Sequence, residues 1–170
     1  MSIGMQPITV AIADPDRNRR TDCERYLINE PGIRLLENES SGIGKIRAHP
    51  VVERRLMPRD NIDASENEVA RIKRLNPQVM LVNIDSFADE ECALLLALRH
   101  ACQKSLMVLM ADESVRDNQI ILALELGVKG YLRNDNVQSQ IANAVRNVGR
   151  GEAWVPRKLL GNLMDYMLNQ

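Results

Sequence analysis

The chain has 170 residues, and its 22 basic and 23 acidic side chains leave a formal net charge of −1. With 45% hydrophobic and 26% charged residues, it has the composition of one globular domain and not of a charged disordered chain. The near-neutral charge gives no nucleic-acid signal. No apolar run is long enough to span a bilayer, and the N-terminus lacks a signal-peptide pattern. We therefore expect a cytoplasmic protein without a membrane partner.

The three cysteines, Cys23, Cys92 and Cys102, indicate a reducing compartment. An odd number of cysteines without a signal peptide argues against a disulfide framework. Their spacing, and that of the two histidines, is not that of a metal-ligand set. We expect three thiols that pack as small apolar residues, and no bound metal.

Five short apolar segments alternate with helical patterns. The predicted strands are 8–13, 33–37, 79–84, 106–111 and 128–132. The predicted helices are 17–29, 65–75, 89–101, 115–126 and 137–148. Ser65 and Glu68 have the spacing of a capping box, and Gly127 is a suitable helix C-cap. This alternation predicts a parallel sheet with helices on both faces and a site at the carboxyl ends of the strands.

Two segments stand outside this alternation. Residues 38–62 are rich in Gly, Pro and basic residues, which predicts an inserted loop or hairpin, either a solvated excursion or a partner-binding surface. Residues 157–168 have the apolar stripe of an amphipathic helix. This stripe either packs on its own domain or pairs with a partner, and the candidate dimer residues are Leu160, Leu163, Met164 and Met167.

Three stretches of the sequence resemble the receiver domain of bacterial two-component response regulators. They are Asp14 after the first strand, 76–83 at the third, and Ala-Leu-Glu-Leu-Gly-Val-Lys-Gly-Tyr-Leu at 123–132. Residues 142–154 resemble the last receiver helix and linker of the subfamily that carries a LuxR-type helix-turn-helix. The resemblance implies a flavodoxin-like α/β fold, three-layered and doubly wound, with a five-stranded parallel sheet in the order 2-1-3-4-5.

The resemblance also implies a domain division. A receiver-like domain covers 7–150, with the insertion after the second strand, and 151–170 form a linker and an extra C-terminal helix. The chain stops just after this linker-like helix, so we expect it to be part of a longer regulator. DNA would then be contacted only through a domain that is not present in this chain.

Receivers of this family use specific chemistry that the sequence has lost. The resemblance implies an aspartate that accepts phosphate at the end of the third strand, two acidic residues that hold Mg²⁺, a hydroxyl after the fourth strand and a lysine after the fifth. The corresponding degenerate pocket consists of Asp14, Pro15, Asp16, Asn83, Met110 and Asn134, while Tyr131 keeps the aromatic switch position.

Asn83 decides this interpretation. A neutral carboxamide is not a carboxylate nucleophile and adds no charge to hold Mg²⁺. Met110 has no hydroxyl to donate. We therefore expect no catalytic residues, no enzyme activity and no cofactor, with Mg²⁺ binding disfavoured by the same losses.

Three functions remain open from the sequence. The first is a phosphorylation-independent interaction or dimerisation module of a transcription regulator, as a homodimer or with another protein, using the fourth helix, fifth strand and fifth helix. Tyr131 would belong to that surface or to the ordinary core. The second is a conventional receiver that is phosphorylated on Asp85 or Asp14. The third is a small-ligand sensor in which Asn83, Asn134 and Arg133 line the vacated pocket.

Overall fold

The computed structural model describes residues 6–36, 61–85 and 89–169, and in 61–66 and 89–90 it describes the backbone alone. Its strands are β1 (Ile8–Ala13), β2 (Ile33–Leu35), β3 (Val79–Ile84), β4 (Leu106–Ala111) and β5 (Val128–Arg133). Its helices within these ranges are α1 (Arg17–Leu27), α2 (Asn61–Leu75), α3 (Asp89–Ala101), α4 (Asp117–Glu125), α5 (Val137–Gly149) and α6 (Arg157–Leu168).

The five strands form one parallel sheet in the order β2-β1-β3-β4-β5. This confirms the predicted order and the doubly wound α/β fold. All six residues of β3 are buried, as expected for a central strand covered on both faces. No described helix is long and apolar enough to cross a membrane.

Two apolar cores lie on opposite faces of the sheet. The first, here the α1/α5 core, is formed under these two helices by residues such as Cys23, Leu27, Ile141 and Val145. The second, here the α3/α4 core, contains Leu95, Leu98, Ile120 and Ile121, and α2 contributes Ile72. Helix α6 lies on the same side, since Leu159 is buried in the α3/α4 core.

The linker after α5 is tied to the edge strand. The Tyr131 amide donates to the Trp154 carbonyl at 2.8 Å, and the Trp154 amide donates to the Lys129 carbonyl at 3.1 Å. Gly130 suits this close approach, because a Cβ there would lie 3.3 Å from that of Trp154, a tight contact. The linker therefore extends the sheet by one bridge and directs α6 back onto the domain.

Two sequence predictions about α2 were wrong. The helix begins at Asn61, so Ser65 lies inside it and is not the N-cap. Glu68 instead accepts from Arg71 at 2.5 Å, one turn later in the same helix. Residues 61 and 62 therefore belong to α2 and not to the predicted insertion, the rest of which lies outside the described residues.

Other helix and strand boundaries differ from the predicted ones by two residues at most. Helix α1 ends at Leu27, two residues early, and α4 begins at Asp117, two residues late. Gly127 follows α4 with φ of +105°, a left-handed conformation that favours glycine, which agrees with its predicted place as a C-cap. Strand β5 extends one residue further, to Arg133.

Candidate functional site

The candidate site lies at the carboxyl edge of the sheet, where the ends of β1, β3, β4 and β5 meet. Asp14 follows β1, Asn134 follows β5, and Asn83 lies opposite Met110 in the β3–β4 register. Asp14 and Asn83 are the buried polar residues of the described chain. The structure therefore places Asp14, Asn83 and Asn134 at the expected edge of the sheet.

The Asp14 carboxylate is held by an arginine of α1. Arg19 Nε lies 3.2 Å from both carboxylate oxygens, and Arg19 Nη2 lies 2.8 Å from Oδ1. The backbone amide of Asp16 donates to the same Oδ1 at 2.8 Å. The Asp14 side chain has no exposed surface, so its negative charge is compensated inside the protein.

Arg19 also reaches a second carboxylate. Its Nη1 lies 2.6 Å from Asp85 Oδ1, on the loop that follows β3. The hydrogen bond with Asp14 raises the pKa of Arg19 above its usual range, and the bond with Asp85 adds to this, although burial opposes both. The guanidinium thus bridges two carboxylates from two strand ends and remains charged.

Local structure at the start of α1 places this arginine. Asp16 is the N-cap, and its Oδ1 accepts from the backbone amides of Asn18 at 2.8 Å and Arg19 at 3.2 Å. Asp16 therefore caps the helix, and both Asp16 and Pro15 are exposed. Arg19 was missed by the sequence analysis.

The position of the expected phosphoacceptor carries an uncharged pair. Asn83 Nδ2 donates to Asn134 Oδ1 at 3.0 Å, so the two departures from the family pattern contact each other. The other amide atom, Asn83 Oδ1, is buried and has no hydrogen-bond partner in the described structure. Met110 is fully buried in the α1/α5 core. The pair lacks both a nucleophilic carboxylate and an ammonium group.

The residues of this edge do not fit Mg²⁺. That ion requires about six oxygen ligands in near-octahedral geometry, usually including carboxylates without other strong partners. Here the buried carboxylate is bonded to a guanidinium, and an amide stands at the position of the expected phosphoacceptor carboxylate. No group of three or more His, Cys, Asp or Glu side chains in the described ranges could hold a metal ion.

The vacated pocket is small. A cavity of about 90 Å³ is lined by Arg19, Asp22, Cys23, Tyr26, Asn83, Asn134 and Val137. Burial, with a smaller contribution from the Asp14 charge, raises the pKa of the Cys23 thiol to about 12. The pocket therefore presents a neutral thiol and two carboxamides beside the bridged arginine.

A larger cleft of about 660 Å³ lies beside β5, between the N-terminal ends of α4 and α6. Tyr131 lines it and is buried in the α3/α4 core, and burial raises the pKa of its hydroxyl. Arg133 lies at the rim of the cleft. Its Nη2 forms ion pairs with Glu113 Oε1 at 2.5 Å and with Asp135 Oδ2 at 2.9 Å, and not with Asn83. Tyr131, the predicted switch position, thus faces a cleft that is lined in part by α6.

The four candidate dimer residues of α6 do not share one environment. Leu160, Met164 and Met167 are exposed, but Leu163 is half-buried and packs against the α3/α4 core. Leu163 lies on the same side of the helix as Leu159 and faces the domain, so its place among the candidate dimer residues stays a prediction. The inner side of the stripe therefore packs on its own domain, and its outer side is exposed.

Proteins of known structure share this fold, although their sequences differ from this one. No protein-family model matches the chain, and no curated protein matches it significantly. A LuxR-family two-component response regulator from Aurantimonas has a TM-score of 0.67 at 9% identity, covering 96% of this chain and 99% of that one. The signal receiver domain of NarL from Mycobacterium tuberculosis has a TM-score of 0.59 at 15% identity, covering 87% and 100%.

A structure of two RcsB dimers bound to two parallel DNAs is also similar. Its TM-score is 0.58 at 12% identity, covering 93% of this chain and 68% of that one. Identities this low show the fold alone, and each of these alignments covers 87% or more of this chain. The chain therefore has the fold of the receiver domains of response regulators.

Proposed function

We propose that this chain is the receiver module of a LuxR-type response regulator that signals without phosphorylation, through protein contacts and not catalysis. The observation that carries the proposal is the bridge of Arg19 to Asp14 and Asp85, beside a carboxamide at position 83. The retained fold and the altered edge support a scaffold that is kept for binding.

Charge explains why the bridge matters. Phosphoryl transfer to a carboxylate requires cations that offset the charge of donor and acceptor. Arg19 is the cation that contacts the buried carboxylate at this edge, and it is already shared by two carboxylates. Asn83 offers no carboxylate to attack, and Asn134 offers no ammonium group. The three charged groups together carry −1, which disfavours an incoming phosphate.

The displaced-aspartate alternative has less support. Asp85 is largely exposed, but its carboxylate is bonded to Arg19 and has no hydroxyl or lysine partner in the described structure. Asp14 is buried beneath the same guanidinium. Either carboxylate would have to exchange this ion pair for a phosphoryl group without a metal.

The ligand-sensor alternative is limited by space. Ligand pockets commonly enclose about 300–1,000 Å³, whereas the volume of about 90 Å³ here corresponds to a few water molecules. Arg133, one of the three residues predicted to line this pocket, instead forms ion pairs with Glu113 and Asp135. The vacated pocket therefore supports a fixed structural role.

The proposed partners follow from the same reasoning. We propose a homodimer in the cytoplasm, with a further protein partner as an alternative, and DNA contact only through a domain outside this chain. Helix α6 covers part of the α4 side of the predicted switch surface, where Asn162 donates to Asp117 at 3.2 Å. The exposed surface available for contacts on that side is therefore partly the outer side of α6.

Acetyl phosphate tests the proposal. We expect the full chain, incubated with acetyl phosphate and Mg²⁺, to gain no phosphoryl mass by intact mass spectrometry, and a phosphorylatable receiver serves as the positive control. The Asp85→Asn variant is the matched control, since it removes the exposed carboxylate and leaves Asp14 in place. A phosphoryl adduct on the wild-type chain that Asp85→Asn abolishes would establish the displaced acceptor and refute the proposal.

A further inference from the structure

The outer side of α6 carries two neighbouring rows of side chains at a spacing of four residues. The apolar ridge is Leu160, Met164 and Leu168, and the charged ridge is Arg157, Gly161 and Asp165. The inner side of the helix packs on the domain through Leu159, Leu163 and Tyr166. Both outer ridges therefore face solvent in a single copy of the chain.

The apolar ridge is unusually exposed. Leu160, Met164 and Leu168 are 41%, 63% and 80% exposed, and Met167, which flanks them, is 67% exposed. Single exposed apolar residues are ordinary, but several adjacent ones on one helix favour an interaction surface. A partner with a matching apolar row would cover them.

The charges of α6 run against its own dipole. Arg157 and Lys158 lie in the first turn, where negative charge is favourable, and Asp165 lies in the last turn, where positive charge is favourable. Within the described structure, none of these three side chains has an ion-pair partner. The arrangement becomes favourable beside an antiparallel helix with the same sequence.

Gly161 marks the centre of such a pairing. It lies midway between Arg157 and Asp165, and a Cβ at Gly161 would meet no atom within 4 Å, so the fold of one copy does not require glycine there. Glycine inside a helix is unfavourable relative to alanine. Two antiparallel helices that cross at Gly161 approach closely, and each Arg157 then lies near the other's Asp165.

We propose that the outer side of α6 binds a second copy of this chain, as an antiparallel, two-fold symmetric helix pair centred on Gly161. This rests on the proposed function of the chain as a pairing module and names its surface. One pair of 12-residue helices buries less area than a standard interface, so we expect a dissociation constant in roughly the micromolar range or weaker.

Sedimentation of the full chain over a range of concentrations tests the apolar ridge. We expect a monomer–dimer equilibrium, and we expect Met164→Glu to raise the dissociation constant about tenfold or more, because a carboxylate would be buried at the contact. Leu96→Glu is the matched control, since Leu96 is also exposed but lies on α3. A chain that stays monomeric at every concentration, or that responds to both variants alike, would refute this surface.

Charge reversal tests the antiparallel register. Arg157→Glu and Asp165→Lys should each weaken self-association, because each places like charges together twice. Mixing the two variants should restore dimers, since positions 157 and 165 then carry opposite charges at both contacts of the mixed pair. If mixing restores nothing, the register is wrong. These results do not depend on the acetyl phosphate experiment, so either proposal can fail alone.

Discussion

At the residue scale, one arginine holds the polar edge of the sheet together, since Arg19 contacts the buried Asp14 carboxylate and the exposed Asp85 carboxylate. Asp14 and Asn83 were found because strand ends and the family pattern mark their positions. Arg19 was not found, because residues 17–20 include three arginines and the pattern gave no reason to choose among them. Only the cap at Asp16, which sets where α1 begins, turns Arg19 towards Asp14.

The bridge predicts a large cost for removing Arg19. The Arg19→Ala variant leaves a fully buried Asp14 carboxylate with only one backbone donor, and we expect the free energy of unfolding to fall by about 3–5 kcal/mol. Urea denaturation near neutral pH measures this change. The variant Asp14→Asn/Arg19→Ala should recover part of the loss, since no charge then remains buried.

Arg25→Ala supplies the control. Arg25 lies on the same helix in an exposed pair with Asp22, and its loss should change stability by no more than about 0.5 kcal/mol. Equal effects of Arg19→Ala and Arg25→Ala would contradict the idea that the bridge compensates a buried charge.

At the element scale, continuous apolar runs were the most reliable signal. The strands at 79–84 and 106–111 were predicted at their exact bounds, because central parallel strands are apolar on both faces. The capping box at Ser65 failed because Ser-x-x-Glu also fits within a helix, where Glu68 pairs with Arg71. The two sides of α6 could not be distinguished, since tertiary packing decides which apolar residues face inward.

The docking of α6 predicts opposite results for two adjacent leucines. Leu159→Ala should lower the free energy of unfolding by about 2–4 kcal/mol, because Leu159 is buried in the α3/α4 core. Leu160→Ala should change it by about 0.5 kcal/mol or less, because Leu160 faces solvent in one copy. Urea denaturation measures the free energy of unfolding of both variants, at a protein concentration low enough for any dimer to dissociate. Similar losses in both variants would mean that α6 is rotated from the orientation described.

At the scale of the whole molecule, the resemblance to receiver domains implied the strand order, whereas the alternation of strands and helices predicted the layers. It did not predict how the C-terminal helix returns to the domain, because that path depends on the bridge between Gly130 and Trp154. The result is a receiver fold in which Arg19 bridges two carboxylates at the carboxyl edge of the sheet and α6 packs beside α4. Both features support the proposed receiver that acts through protein contacts.

We propose that this edge does not respond to metal and phosphoryl groups. The direct measurement is the amide NMR spectrum of the full chain, recorded with and without Mg²⁺ and beryllofluoride, a mimic of the phosphoryl group. We predict that the resonances of Asp14, Asn83, Ala111 and Asn134 stay unchanged, because Arg19 holds the carboxylate and no acceptor faces the ion. Saturable shifts of these resonances that require both Mg²⁺ and beryllofluoride would contradict the claim.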